Sequence, residues 1–423
     1  MPPAASVSPA TVPKAEAEIE IESTRIKSGT PEFRKVSRAM FVGGFSVFAM
    51  LHGAQPLMPM FSQEFDLSPA SASGVVSVAT AALAFALIPA SILADRLGRK
   101  PIMVGGLALV ALFTLISAAS EGFSQLLFWR ALQGMVLAGV PAVAMAYLSE
   151  EVEPNSLGYS MGLYIAGNSM GGMSGRLVAS ALGDMASWRT VMVTLGIFGL
   201  CASVMFLKSV PRSRHFTPTP GPWRDLLATL RRDAAAHLGD PGLRWLFALG
   251  FLIMGCFTST YNYLAYHLGE APFNLRPALA GAVFMVYLVG PVAATWTGRL
   301  ADRLGRRQVM WATMLLMLAG VLTTLVSHLA TIVLGVVLLT FGFFASHSVA
   351  SSWVGRRATH ARGLASALYL TFYYLGAGVL GWASGLAWGF DGWFGVAGVL
   401  ALCLLAGVGI AVHLRRIPPP ANA

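Results

Sequence analysis

The chain has 423 residues, 56% of them hydrophobic and only 11% charged, with a mean hydropathy of +0.66. An ordinary soluble domain, which has no use for so much apolar surface, is excluded. A net charge of +10 could suit nucleic acid, but the basic residues lie in short loops between apolar runs, which points to a lipid bilayer and excludes a nucleic-acid partner.

Residues 1–35 are rich in Pro, Ala, Ser and Glu, with an acidic cluster from Glu16 to Glu22. Such a segment cannot bury a core and reads as a disordered tail. It is polar, so no cleavable leader is expected. Six apolar spans follow at 37–61, 70–94, 101–120, 123–148, 156–183 and 188–208. Each is long enough to cross a bilayer as a helix. Residues 209–242 are polar and read as a linker, with one surface helix from Trp223 to Leu238. Six more spans occupy 243–268, 276–299, 308–327, 330–354, 363–389 and 391–414. The expected fold is an all-α membrane protein of twelve transmembrane helices. It divides into a tail (1–35), a six-helix bundle (36–208), a linker loop (209–242), a second six-helix bundle (243–415) and a short tail (416–423).

Counting residues near a span's end with the adjoining loop, 25 of 29 Lys and Arg belong to the first tail, the even-numbered loops and the C-terminus, and only Arg189 and Arg276 to the odd-numbered loops. That bias places both termini in the cytoplasm. Cys201, Cys256 and Cys403 all lie in apolar segments, with neither a disulfide framework nor metal-ligand spacing. No G-K-[ST] loop occurs, which argues against ATP-driven pumping. No cofactor and no metal is expected.

The stretch LADRLGR occurs twice, at Leu93–Arg99 and Leu300–Arg306, 207 residues apart. Seven identical residues at a half-chain offset indicate internal duplication. Leu163-Tyr164 and Trp188 recur as Leu368-Tyr369 and Trp393 at an offset of 205. In each loop a glycine, Gly98 or Gly305, permits a tight turn between antiparallel helices. Arg96, Arg99, Arg303 and Arg306 hold the loops on the cytoplasmic side. Asp95 and Asp302 end helices that a neighbouring Arg or helix start could hold.

The second copy, extended to Gly298, resembles the loop between helices 8 and 9 of the major facilitator superfamily, and the first resembles its counterpart between helices 2 and 3, with Ser91 where the family usually has Gly. Arg130-Ala131-Leu132-Gln133-Gly134 resembles the family's R-x-x-Q-G motif. Gly158, Gly167, Gly171 and Gly175 match its antiporter motif G-x8-G-x3-G-P-x2-G-G, with Gly172 in place of the proline and Arg176 in place of the last glycine. GLYIAGNSMGGMSGR (162–176), SRHFTPT (213–219) and FFASHSVASSWVG (343–355) are similar to the YnfM-like group of bacterial inner-membrane transporters within the twelve-span drug/proton antiporter branch. The resemblance implies alternating access in two pseudo-symmetric bundles, a cytoplasmic latch at the LADRLGR loops, a role for Arg130 in proton coupling or substrate charge, and export rather than uptake, an inference weakened by the missing proline.

An arginine at membrane depth is costly unless it faces water, a partner or a ligand. Arg130, with Gln133 on its own face, either serves function or is held by carbonyls of neighbouring helices. Arg176 lies at similar depth, about 10 Å from its helix end, and no Asp or Glu lies in the interior of any span, Asp391 standing at the end of its own. Two uncompensated guanidinium groups favour a ligand with a negative group, unless Arg176 snorkels outward or pairs with Asp184. His52, spaced i, i+3 with Gln55, could carry a proton or simply pack. His347 is a second such candidate. Asn168, Tyr261, Asn262, Tyr263, Tyr266, Tyr287, Tyr369, Tyr373 and Tyr374 supply polar tips for a mostly apolar cavity, and the 19 Met supply adaptable surface.

These readings converge on a secondary active transporter, not an enzyme, of the bacterial inner membrane. It would export small amphipathic or anionic organic compounds in exchange for protons, with Arg130 and His52 in the coupling, working as a monomer. Proton-linked uptake is the alternative, and a membrane-embedded lipid enzyme a remote one.

Overall fold

The computed structural model describes residues 25–216, 218 and 222–418, and these form helices joined by short turns, with no strand among the described residues. We number the membrane-crossing helices α1 to α12. The first bundle comprises α1 (Pro31–Glu64), α2 (Pro69–Leu97), α3 (Arg99–Ser117), α4 (Phe123–Glu151), α5 (Pro154–Met185) and α6 (Trp188–Ser209). The second comprises α7 (Pro241–Gly269), α8 (Pro277–Leu304), α9 (Arg306–Thr323), α10 (Leu329–Arg357), and α11 and α12, which share the helical stretch Arg362–Leu414. Asp391 and Gly392 interrupt that stretch with non-helical backbone.

Local chemistry sets the boundaries. Thr30 before Pro31, Ser68 before Pro69 and Asp240 before Pro241 each accept a backbone N–H of the first turn, the side-chain cap followed by proline that opens a helix well. Pro56 and Pro59 break α1 after His52, and Pro141 breaks α4 after Leu137. Gly98 and Gly305 take φ of 97° and 87°, a conformation only glycine adopts readily, so the two copies of the repeat make the same turn.

The halves are built alike. In α5, a Cβ on Gly167, Gly171 or Gly175 would fall 2.3, 2.0 or 2.5 Å from the carbonyl oxygens of Phe41, Phe45 and Ala49 in α1. In α11, a Cβ on Gly376 would fall 2.0 Å from the Phe251 carbonyl of α7. The glycine stripe of α5 is therefore a seat for the α1 backbone, whereas Gly158 faces open space. The halves meet where α2 packs on α11 and α5 on α8. The two LADRLGR loops lie at one end of the bundle, the motif end, together with both described chain ends.

One expectation needs correction. Residues 25–35, assigned to a disordered tail, are held: Ile26 is buried, bridges to Val152 and donates its N–H to the Glu151 carbonyl at 2.8 Å. The apolar Ile26 side chain and the Thr30–Pro31 cap account for this order. Residues 1–24 lie outside the described residues. At the other terminus, Arg307 binds the carbonyls of Arg415 and Ile417 at 3.1 and 2.6 Å, so residues 416–418 dock as well. The surface helix of the linker runs Trp223–Gly239 and leads into Asp240, which receives two hydrogen bonds from the buried Arg357, at 2.5 and 2.9 Å. Burial alone would raise the Asp240 carboxyl, but these bonds outweigh it and hold it below the usual carboxylate range.

Candidate functional site

Midway through the bundle, between the halves, lies a cavity of about 110 Å³. α1 contributes Phe48 and His52, α5 contributes Asn168, Ser169, Gly172 and Arg176, and α7 contributes Met254 and Phe257. Tyr287 of α8, Phe343 and Phe344 of α10, and Tyr373 and Tyr374 of α11 complete the wall. Of the residues singled out in the sequence, His52, Asn168, Arg176, Tyr287, Tyr373 and Tyr374 meet here. Phe48, Phe257, Phe343 and Phe344 were not anticipated, because a phenylalanine inside an apolar span carries no mark distinguishing a cavity wall from a lipid-facing side.

Arg176 is the charged group of the cavity. It is 3% exposed. Its Nε donates to Gln55 Oε1 at 2.5 Å and one terminal nitrogen to the Gly172 carbonyl at 2.8 Å. Its guanidinium lies 4.8 Å from the Tyr287 ring centre and 5.4 Å from that of Phe284, within cation–π range. It does not pair with Asp184, which instead sits 3.8 Å from Arg276, and no carboxylate neutralises it among the described residues. Gly172, where the family pattern has proline, allows this posture: a Cβ there would stand 3.3 Å from an Arg176 nitrogen and 3.6 Å from His52 Nδ1. His52 Nδ1 lies 3.1 Å from the Phe48 carbonyl, one turn back. The Tyr287 hydroxyl is buried beside the Arg176 guanidinium, and the Asn168 side chain beside the Tyr164 hydroxyl.

Arg130 and Gln133 are placed differently from the expectation. Both are fully buried behind α1, away from the cavity. Arg130 donates to the carbonyls of Val75, Leu51 and Met50 at 2.9, 2.7 and 3.3 Å and to Gln133 Oε1. Gln133 in turn donates to Thr114 Oγ1 at 2.7 Å. Gly134 makes the cluster possible, since a Cβ there would collide with the Ala79 backbone of α2. Arg130 thus ties α1, α2 and α4 together and presents nothing to a ligand.

Several other candidates close the bundle at the end opposite the motif loops. Gln55 Nε2 donates to Asn262 Oδ1 across the halves at 2.6 Å, and Ser62 Oγ lies 2.8 Å from the Tyr266 hydroxyl. The α5–α8 crossing is tight enough that a Cβ on Gly281 would fall 2.2 Å from Ser180. Beyond this seam is a larger depression of about 440 Å³, walled by Pro56, Pro59, Pro69, Pro277 and neighbours. It is open to the surface and lacks buried charge. Tyr263 donates to the Gly381 carbonyl at 2.8 Å, and Tyr261 pairs with Thr340 at 2.8 Å, so both pack helices. His347 stands one layer behind Tyr373, with Nδ1 3.0 Å from the Tyr369 hydroxyl.

At the motif end, Asp95 pairs with Arg99, and Arg99 pairs with Glu150 at 2.8 Å. The Arg96 guanidinium lies 3.9 Å over the Trp223 ring. In the second copy, Arg306 binds Asp302 at 3.0 Å and Ser352 at 3.1 Å, while Arg303 is exposed and Gly298 approaches only Ser348, at 4.0 Å. The ion pairs of each copy stay within their own half, and Arg96 reaches the linker helix at Trp223. Glu150 escaped the sequence reading because it lies 51 residues from Arg99.

Among the described residues, twelve membrane-crossing helices in two similar halves around a central cavity define a multi-pass membrane transporter. The match to the family model described as Major Facilitator Superfamily covers residues 40–290 and 270–423, and the chain belongs to that superfamily. It is similar to the uncharacterized MFS-type transporter YybF of Bacillus subtilis (strain 168), at 43% identity over 93% of this chain and 96% of that one. It is also similar to the inner membrane transport protein YnfM of Escherichia coli (strain K12), at 44% identity over 92% and 93%. Among solved structures, a bacterial homologue of the human lysosomal transporter Spinster, inward-facing and unoccupied, shares the fold with a TM-score of 0.74 at 16% identity, over 92% of this chain and 96% of that one. The relatives are transporters, and the chain is a transporter rather than an enzyme.

Proposed function

We propose that this transporter moves small organic anions by alternating access, with protons as the coupling ion and His52 as their carrier. The observation that carries the proposal is Arg176, a permanent charge buried on the cavity wall with no acid beside it among the described residues. A lone buried cation is costly, and a carboxylate is the group its fork best accommodates. A cationic substrate would meet repulsion at the same point.

The charge arrangement favours co-transport over exchange. An anion seated on Arg176 and a proton on His52 attract one another, so each strengthens the binding of the other. Competition, which exchange requires, would need a shared carboxylate, and the cavity has none among its lining residues. This reading prefers the uptake-type alternative of the sequence analysis to proton-exchange efflux, with net direction set by the two gradients. Exchange keeps one specific support, the glycine spacing of α5. Arg130 has no part in the coupling on this reading, because its donors are occupied by carbonyls.

The basic bias of the loops puts the motif end in the cytoplasm of an inner-membrane protein. The seam at Gln55–Asn262 and Ser62–Tyr266 is then the closed periplasmic gate. A single chain holds the whole cavity and suffices as a monomer. Proteoliposomes with a pH-sensitive dye in the lumen test the coupling. An inward anion gradient should acidify the lumen. Alkalinisation would establish exchange, and no response to any anion would remove both readings.

A further inference from the structure

Resting on the anion reading, the geometry points to a narrower substrate class, which we infer to be small aromatic monocarboxylates. Charge and shape are separate observations here. The charge is Arg176 at one end of the cavity. The shape is set by aromatic rings: Phe257 and Phe343 lie face to face with centres 3.6 Å apart and planes 8° from parallel. Phe344 meets Phe343 edge-on at 5.0 Å, and Tyr287 closes on Phe257 at 5.4 Å. The facing sides of Phe257 and Phe343 cover each other, so a planar ring would meet this cluster at its outer faces and edges, while an aliphatic ligand of equal area gains only burial.

Two further features fix the class. The cavity, at about 110 Å³, is well below the roughly 300–1,000 Å³ of drug-sized sites, so it suits one ring rather than a fused or extended compound. There is one buried cation on the wall, which matches one carboxylate; a dianion would leave a charge unpaired in the bilayer interior. The Tyr287 hydroxyl, buried beside the Arg176 guanidinium, would keep its own hydrogen to donate to the second carboxylate oxygen. The ligand ring would then occupy the space bounded by Phe48, Phe257, Phe343 and Phe344.

Equilibrium binding to the purified full-length protein tests this without requiring transport. The probes are benzoate, cyclohexanecarboxylate, butyrate, benzyl alcohol and benzylamine, followed by thermal unfolding and by radioligand competition. Benzoate should bind best, with cyclohexanecarboxylate about tenfold weaker, as one to two aromatic contacts would give, and with the alcohol and the amine silent. Tyr287→Phe, which removes one oxygen and leaves the packing intact, should weaken benzoate several-fold and leave the preference for benzoate over cyclohexanecarboxylate unchanged. Phe343→Leu should erase the preference for benzoate over cyclohexanecarboxylate. If all three carboxylates bind equally, the aromatic class is wrong and the anion reading stands. If the alcohol or the amine binds and no carboxylate does, or if no probe binds, the aromatic class is overturned; in the first of these cases the anion reading falls with it.

Discussion

Arg130 and Arg176 are both arginines at membrane depth in the first bundle, and their surroundings have opposite meanings. Around Arg130, three carbonyls from α1 and α2 and the Gln133 amide take up the guanidinium. Around Arg176, one carbonyl and one amide take two nitrogens, and the remainder meets aromatic faces and a cavity. A buried charge is thus a functional signal only after its partners are counted. The first is a rivet among helices; the second is a socket.

Replacing each group tests that contrast. Arg130→Leu strands buried carbonyls and the Gln133 amide, and at about 1–3 kcal/mol for each unsatisfied group the expected outcome is little or no folded protein by size-exclusion chromatography. If the variant folds normally and only transport is lost, the rivet assignment fails. Arg176→Gln keeps a hydrogen-bonding amide and should cost at most about 1 kcal/mol of stability, yet lower the initial rate of anion uptake by well over tenfold. A variant that unfolds but transports when stabilised would place Arg176 with Arg130. Gly172→Ala crowds Arg176 and His52 without touching the backbone of α1, and a few-fold loss of uptake with an unchanged melting temperature is expected. The same substitution at Gly171, whose Cβ would fall 2.0 Å from the Phe45 carbonyl, should instead unfold the bundle.

The third buried arginine, Arg357, provides a control with a true counter-ion. Asp240→Asn should cost about 1 kcal/mol, because Asp240 is partly exposed and screened. The Asp240 carboxyl titrates lower when folded, so its contribution is complete above the ordinary carboxylate value of about 3.9. It is lost only as pH falls through the lower folded value. Melting temperatures of wild type and variant should therefore keep a constant gap between pH 5 and 8 and converge only in strong acid.

The fold was legible because its determinants are local or repeated. Apolar length gives each span, and Gly98 and Gly305 give matching turns. The residues of the candidate cavity stood out in the sequence mainly where chemistry was unusual for a bilayer, at Arg176 and His52. Depth along a helix is readable from sequence, but direction around it is not without knowing what packs alongside. Arg130 and Arg176 share a depth and differ in direction. The carbonyls that hold Arg130 come from Met50, Leu51 and Val75, and backbone acceptors leave no trace in residue identity. The phenylalanine walls were hidden for a related reason, since lipid and ligand ask for the same side chain.

The Gln55 amide has spent both of its atoms. Its oxygen holds Arg176, its nitrogen holds Asn262 in the other half, and the two bonds are 2.5 and 2.6 Å long. A carboxylate arriving at Arg176 competes for the very hydrogen that keeps the amide oriented, and a released amide can rotate and drop Asn262. On the anion proposal, occupancy and closure would be reported by one side chain, because the guanidinium that a carboxylate would claim also orients the amide that joins the two halves.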